Sequence, residues 1–191
     1  MVDEILREKW DRRYREQVQP PAALGVLTEN AHLLPTDGVA LDLACGLGGS
    51  ALFLAKRGLR VEAWDLSAVA VEALRGRAVG LPLRAEVRDV IEHPPPRRRF
   101  DVICIGHFLD RGLCPYIADA LRPGGLLFYQ TFAREAVDDS GPGNPDFRLD
   151  RNELLDLFAG LTVRFYRDEG RAGDHSQGLR NQAQLVAQRP E

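Results

Sequence analysis

No stretch of this chain approaches the ~18 consecutive apolar residues of a membrane-spanning helix, and no membrane association is expected. The opening MVDEILREKW mixes acids and bases where a secretory leader would carry an apolar core, so secretion is not expected either. Cysteine is scarce and unpatterned. Cys45, Cys104 and Cys114 are an odd number without CxxC spacing, and two stand in apolar runs, so neither a disulfide framework nor a zinc or other metal site is suggested. A reducing cytoplasm is the expected compartment. An excess of positive charge is also missing. The formal charge of -3 supplies no overall field for collecting phosphates, so nucleic acid is not expected as a partner. The one basic run, Arg97 to Arg99, follows three prolines and reads as a solvated loop. Internal repeats and low-complexity segments are absent.

What is present suits one soluble globular domain. Hydrophobic residues make up 45% and charged residues 28% of 191 residues, enough to build one core and too mixed for a disordered chain. A single domain over residues 1–191 is expected, with an N-terminal helical segment at 1–37 and a Rossmann-like core at 38–191.

In that segment Ile5, Leu6, Trp10, Tyr14 and Val18 recur at helical intervals, predicting an amphipathic helix from Asp3 to Gln17 that ends before Pro20 and Pro21. A second, shorter helix is expected over Ala23 to His32. From Val39 the rhythm becomes strand and helix in turn. VALDLAC, Val39 to Cys45, is halted by glycines before a helix at Ser50 to Arg57. RVEAWDLS forms a strand before a helix at Ala68 to Arg77. Leu83 to Asp89 and the apolar Phe100 to Leu109 are further strands, the latter central. Leu113 to Leu121 is a helix stopped by RPGG, and Leu126 to Phe132 a fifth strand.

Strands separated by helices imply a doubly wound parallel sheet. After Phe132 the pattern changes. DDSGPGNPDF is loop, Asp150 to Phe158 is a helix with Asp150 at its N-cap, and the runs from Thr162 and Ala183 form an antiparallel hairpin.

Chemistry concentrates at the first turn. In LDLACGLGG, Gly46, Gly48 and Gly49 would let backbone N–H groups approach a ligand closely. Asp65 closes the second strand where nucleoside-binding folds place an acid on two ribose hydroxyls, and Asp89 closes the third. Gly46, Gly48 and Ala51 also satisfy the GxGxxG/A dinucleotide pattern, which leaves a nicotinamide enzyme open.

The succession LDLACGLGG, VEAWDLS, VRDV, FDVICIGHFLD, LRPGGLLFYQTF resembles the class I S-adenosylmethionine-dependent methyltransferases over about residues 38–189. It is most similar to the small bacterial branch of tellurite- and thiopurine-type enzymes. The resemblance implies an α/β, Rossmann-like, doubly wound seven-stranded sheet, mostly parallel with an antiparallel C-terminal strand. It implies S-adenosylmethionine as cofactor, with Asp42, Ala44, Gly46 and Gly48 around the methionine moiety and Gly106 beside it. Asp65 would take the ribose hydroxyls, Leu66 would lie against the adenine, Asp89 would accept from its amino group, and Val90 would offer backbone bonds. An acid inside the first strand suits an ammonium or sulfonium and gains nothing from a pyrophosphate. Gly49 stands where the branch often has arginine.

The acceptor is expected beyond the fourth and fifth strand ends, near Gly106, His107, Phe108, Asp110, Arg111, Gln130, Thr131, Phe132 and Arg134. His107 or Asp110 would orient or deprotonate it, since imidazole titrates near neutrality and a carboxylate accepts a proton. A packed ring or a contact to the methionine part explains His107 equally. Arg111, which would otherwise pair with Asp110, Phe132, Asn144 and Arg148 would face the acceptor. Trp10 and Tyr14, one turn apart, would form a lid, or else pack their helix on the sheet edge. His32, His93 and His175 read as surface residues.

The resulting expectation is methyl transfer to a small-molecule acceptor by a monomer or homodimer. A nicotinamide oxidoreductase domain and a non-catalytic S-adenosylmethionine-binding module remain the alternatives. An NPPY-type motif of amino-methylating nucleic-acid enzymes is absent, the chain reading CIGHFLD there.

Overall fold

The computed structural model describes residues 4–17, 19 and 21–191. Asp3, Val18 and Pro20, which bear on the first helix, lie outside the described residues. Helices α1 (Glu4–Glu16) and α2 (Gly25–Glu29), with a 3-10 turn at Ala31–Leu33, precede β1 (Val39–Leu43). Then follow α3 (Gly49–Lys56), β2 (Arg60–Asp65), α4 (Ala68–Arg77), β3 (Leu83–Val87), β4 (Phe100–Gly106), α5 (Cys114–Ala120) and β5 (Leu121–Phe132). A 3-10 turn at Pro145–Phe147, α6 (Glu153–Leu157), β6 (Thr162–Asp168) and β7 (Gln182–Gln188) complete the chain.

The seven strands form one sheet in the order β3-β2-β1-β4-β5-β7-β6. Strand β7 runs antiparallel to both its neighbours, and the pairs from β3 through β5 are parallel. The order reverses between β1 and β4, and at such a switch point the loops beyond the strand ends diverge and leave a crevice for a ligand. Side chains alternate across the strands and feed two cores. On one face Val26 and Leu27 of α2, Ala51 and Leu54 of α3, and Val71 and Leu74 of α4 pack on Ala40, Val102, Phe128 and Val186. On the other, Ile117 of α5 and Leu154 of α6 cover Leu43, Ile103, Tyr129 and Leu185. Cys45, Cys104 and Cys114 are buried and free within these cores.

Several element ends differ from the sequence reading, each for a local reason. Strand β1 stops at Leu43 and β4 at Gly106 because Ala44 and His107 take left-handed backbone angles, φ 55° and 54°, which leave the β region. RPGG does not end α5. It lies inside β5, where a register shift opposite Phe100 to Val102 absorbs it. Asp150 is not a helix cap, because its carboxylate is held by Arg134 at 2.9 Å while its N–H donates to Glu153 at 2.7 Å, and the helix begins at Glu153. The second helix is shorter than expected and passes into the 3-10 turn. Strand β3 ends at Val87, so Asp89 stands in the following turn.

The β3–β4 connection contains no helix. The face of β2 and β3 beneath it holds a cavity of about 250 Å³ lined by Trp64, Glu62, Glu86, Arg84, Arg88 and Arg99, among others. The Arg88 guanidinium stacks 3.9 Å above the Trp64 ring there.

Candidate cofactor and acceptor site

Two buried carboxylates clamp the turn after β1. Asp42 Oδ2 accepts from Ala51 N at 2.8 Å and ties β1 to the first turn of α3. Asp65 uses both oxygens, Oδ2 accepting from Gly46 N at 2.7 Å and Oδ1 from Ser67 N at 2.8 Å. The backbone between them is left-handed at Ala44, Gly46 and Gly48, with φ of 55°, 51° and 82°. A Cβ at Gly48 would strike Leu74, and one at Gly46 would come within 2.8 Å of the Tyr14 hydroxyl. Both glycines are therefore needed for backbone angle and for space. The expectation that their N–H groups face a ligand is corrected: Gly46 N donates to Asp65, and Gly48 N to Cys45 O at 2.9 Å. Burial pushes the Asp42 carboxyl up to about 7, opposed by the Ala51 bond and reinforced by the charge of Asp65. Burial raises Asp65 as well.

Arg88 N donates to Asp65 O at 2.8 Å and links the ends of β2 and β3. Beyond this link Asp89 Oδ1 accepts from Ile91 N at 2.9 Å, shaping a turn that buries Val90, while Leu66 is half-buried beside Asp65. Asp42 and Asp65 thus hold the turn that contains Ala44, Gly46 and Gly48, with Leu66, Asp89 and Val90 at the adjoining strand ends.

Helix α1 packs on α4 and lies across this turn, with Tyr14 over Gly46. None of its described residues is buried. Trp10 and Tyr14 stack with ring centres 5.8 Å apart, and Arg13 stands over the Trp10 ring. Asp11 accepts from the Ser67 hydroxyl at the start of α4. The Tyr14 phenol, over Gly46, is pushed well up by burial and then by the charge of Asp65. Deleting residues through Gln17 is expected to lower the melting temperature by only a few degrees, because α1 contributes no core residue, while weakening cofactor binding at least tenfold. Thermal denaturation with calorimetric titration checks both, and a large stability loss with unchanged affinity would overturn the reading.

At the acceptor end His107 leaves β4 with φ 54°, its N–H donating to Gln130 O at 2.9 Å. The exposed imidazole lies over Phe132 at 5.0 Å, and its Nε2 is 3.2 Å from Gln182 Oε1. Desolvation lowers its pKa below 6.5, and the Arg13 charge adds to this. The neutral ring, which carries a free lone pair, therefore prevails at neutral pH. Leu24 packs against Gly106 beside it.

Other expected acceptor residues are engaged elsewhere. Asp110 Oδ1 accepts from Leu113 N at 2.8 Å and shapes the entry to α5. Arg111 does not pair with Asp110. It forms a two-pronged ion pair with Glu153, at 2.5 and 3.0 Å, and donates to the carbonyls of Asp146 and Arg148. Asn144 is exposed and caps the 3-10 turn through Asp146 N at 2.9 Å. Arg148 donates to the carbonyls of Pro142, Ala133 and Ser140. Phe108 joins the α5–α6 core, and Thr131 is buried. His32, His93 and His175 are exposed.

Arg111→Ala is accordingly expected to cost roughly 1–3 kcal/mol of stability, because Glu153 and two carbonyls lose charged donors. A melting curve reads this, and an unchanged melting temperature would return Arg111 to a substrate role. The sequence reading missed Gln182, Leu24, Val26 and Arg13. Gln182 faces Phe132 only through the antiparallel β5–β7 register, and no local motif marks it.

A seven-stranded sheet with a reversed β7, two helical layers and an acid-clamped left-handed turn after β1 define a Rossmann-like nucleoside-binding fold of the class I methyltransferase type. Residues 40–125 match the methyltransferase domain family. That match spans a little under half of the chain, and the fold is the one shared by S-adenosylmethionine-dependent methyltransferases of known structure.

Among solved structures the chain is similar to one from work on conversion of a disulfide bond into a thioacetal group during echinomycin biosynthesis. The TM-score is 0.71 and identity 25%, covering 97% of this chain and 92% of that one. TehB from Haemophilus influenzae shares the fold, with TM-score 0.72 and identity 19% over 94% of this chain and 67% of that one. A curated relative, ribosomal RNA small subunit methyltransferase C of Alcanivorax borkumensis, is 30% identical over 124 residues, 56% of this chain. The chain spans about a third of that protein's length, 36%.

Proposed function

We propose that this chain, as one methyltransferase domain, transfers the methyl group of S-adenosylmethionine to a small-molecule acceptor. The observation that carries the proposal is the pair of buried carboxylates, Asp42 and Asp65, clamping the left-handed turn. A pyrophosphate would be repelled there, whereas a sulfonium amino acid with ribose hydroxyls brings positive charge and donors, so the donor set suits that cofactor.

The bound cofactor supplies an activated methyl carbon. The chain's own residues bind, align and exclude water. Asp65 keeps free lone pairs for ribose hydroxyls, Asp42 balances an ammonium, and Tyr14 with Trp10 covers the cleft. In-line displacement at a sulfonium needs alignment and desolvation above all. His107, neutral and tilted against Phe132, holds the acceptor or takes its proton, a role for which Asp110 is less well placed because Leu113 N already claims Oδ1.

A small acceptor is supported by the acidic net charge and by the closeness of α1 and Leu24 to the strand ends. The likeness to a ribosomal RNA methyltransferase favours RNA as the second reading.

The test is release of S-adenosylhomocysteine with thiol, chalcogen-oxyanion and amine acceptors, against ribosomal RNA, for the native chain and His107→Ala. Turnover on a small acceptor that falls at least tenfold in the variant supports the proposal. Turnover on RNA alone selects the second reading. Cofactor binding without transfer to any acceptor would leave a binding module.

A further inference from the structure

Beyond β5 and β7 four polar side chains and one backbone N–H form a continuous chain of hydrogen bonds. Val26 N, in the first turn of α2, donates to Gln130 Oε1 at 2.9 Å. Gln130 Nε2 donates to Gln182 Oε1 at 2.7 Å, and the same Gln182 oxygen lies 3.2 Å from His107 Nε2. Gln184 Nε2 also donates to Gln130 Oε1, at 3.0 Å.

The direction of the chain follows from its first member. A backbone N–H can only donate, so the Gln130 atom that meets it must be the amide oxygen. The amide nitrogen of Gln130 then points to Gln182 and requires an oxygen there. That oxygen, an acceptor without a hydrogen, can bond to His107 Nε2 only if Nε2 carries the proton. Gln184 follows the same polarity: it is 1% exposed, and its Oε1 has no partner among the described residues, so its nitrogen is committed to Gln130 even at the cost of a buried unsatisfied acceptor.

We infer that Gln130 and Gln182 are positioning residues that fix neutral His107 as its Nε2–H tautomer, leaving Nδ1 as the ring atom that bears the lone pair. Nδ1 has no hydrogen-bond partner among the described residues, and so is the nitrogen free to accept a proton. The ring is held from two further sides. Phe132 fixes its plane, and the left-handed backbone at His107 fixes the direction in which it leaves the strand. A non-glycine residue in that conformation carries a small strain of the kind that surrounding structure must enforce. Because Val26 belongs to α2, the N-terminal segment reaches the acceptor site through this chain: seating of α2 sets Gln130, Gln130 sets Gln182, and Gln182 sets the imidazole. The tautomer assignment stands on geometry alone, and only its catalytic meaning rests on the methyl transfer proposed above.

Long-range proton–nitrogen correlation spectra of the ¹⁵N-histidine-labelled full chain, above the pKa of His107, read the tautomer directly. His107→Phe assigns the signal. The native chain is expected to show protonated Nε2 and unprotonated Nδ1. In Gln182→Leu the preference should disappear or reverse, and in Gln182→Glu, which keeps an acceptor facing Nε2, it should be retained. A native Nδ1–H tautomer, or a Gln182→Leu spectrum indistinguishable from native, would overturn the inference. Activity is measured in parallel on the same samples. The expected tautomer in a chain that transfers no methyl group would leave the positioning intact and remove the proposed function. Transfer with the opposite tautomer would do the reverse.

Discussion

Asp65→Ala is expected to weaken S-adenosylmethionine and S-adenosylhomocysteine binding at least ~100-fold and to lower the melting temperature of the free protein. The two effects have separate origins. In the free chain Asp65 is the acceptor for Gly46 N and Ser67 N and is 6% exposed, so removal leaves two N–H groups without their acceptor where water has poor access. Each such orphan costs about 1–3 kcal/mol. Binding then loses an ionised acceptor for ribose hydroxyls, and hydrogen bonds to charged groups contribute about 1.5–3 kcal/mol each, enough for the expected fold-change. Asp65→Asn separates the effects. Its single amide oxygen serves one of the two N–H groups, so stability falls less while nucleoside affinity still drops. Calorimetric titration with both ligands, with NADH as the dinucleotide control, and thermal melting of the free chains provide the measurements. Affinity unchanged in Asp65→Ala would place the nucleoside elsewhere, and NADH bound in preference to S-adenosylhomocysteine would recast the turn as a pyrophosphate site.

The parts of this molecule that were legible in the sequence are those set by short-range pattern. The alternation of apolar strands with helices, the glycine stop after LDLAC and the final hairpin all appear where periodicity placed them, because each follows from burial within a few residues. The errors sit where one residue's backbone or one distant side chain decides. Ala44 and His107 are not glycines, and nothing local announces that they turn left-handed and end their strands. RPGG reads as a helix terminator, yet α5 has already ended at Ala120 and the sheet recruits RPGG into β5, a tertiary gain that outweighs turn propensity.

The acceptor side shows the same limit at greater range. Arg111 reads as a substrate-facing cation because it follows the end of the fourth strand, and Arg148 because its loop, GPGNPDFRLD, resembles a segment of the tellurite- and thiopurine-type branch. In the structure their fork geometry is used to gather carbonyls and to grip Glu153, which ties down a long loop whose one regular element is a 3-10 turn. Gln182 carries no motif at all, and only the pairing of β7 with β5 brings it to His107 across 75 positions of sequence. Candidate cofactor residues were legible because one strand, one turn and one neighbouring strand end contain them. Candidate acceptor residues come from five separated segments.

Asp42→Asn is expected to make the free protein more stable at alkaline pH while weakening cofactor binding. The carboxyl stands at about 7 in the folded chain against 3.8 for an unperturbed aspartate. The folded state therefore holds a proton that the unfolded state gives up earlier. For a carboxyl raised in this way the folded state is favoured below the unfolded value, and that advantage is lost as pH rises from about 4 to about 7. At about 1.4 kcal/mol for each tenfold change, the loss is on the order of 4 kcal/mol. Asparagine keeps an oxygen for Ala51 N and removes this ionisation, so its melting temperature should fall less over this range than that of the native chain, Asp65 supplying a slope that remains, and should exceed it at pH 8.

The same carboxyl is the group that an ammonium would be drawn to. An adjacent positive charge favours the ionised form, so binding near pH 7 should expel a fraction of a proton from the native chain and none from this site in the variant. Titrations in two buffers of different ionisation enthalpy read that proton, and melting curves from pH 4 to 8 read the stability. Identical pH slopes for the two chains would mean that Asp42 is ionised throughout and that its burial is compensated by the helix start alone. A shallower slope in the variant with undiminished affinity would keep the titration and remove Asp42 from the cofactor.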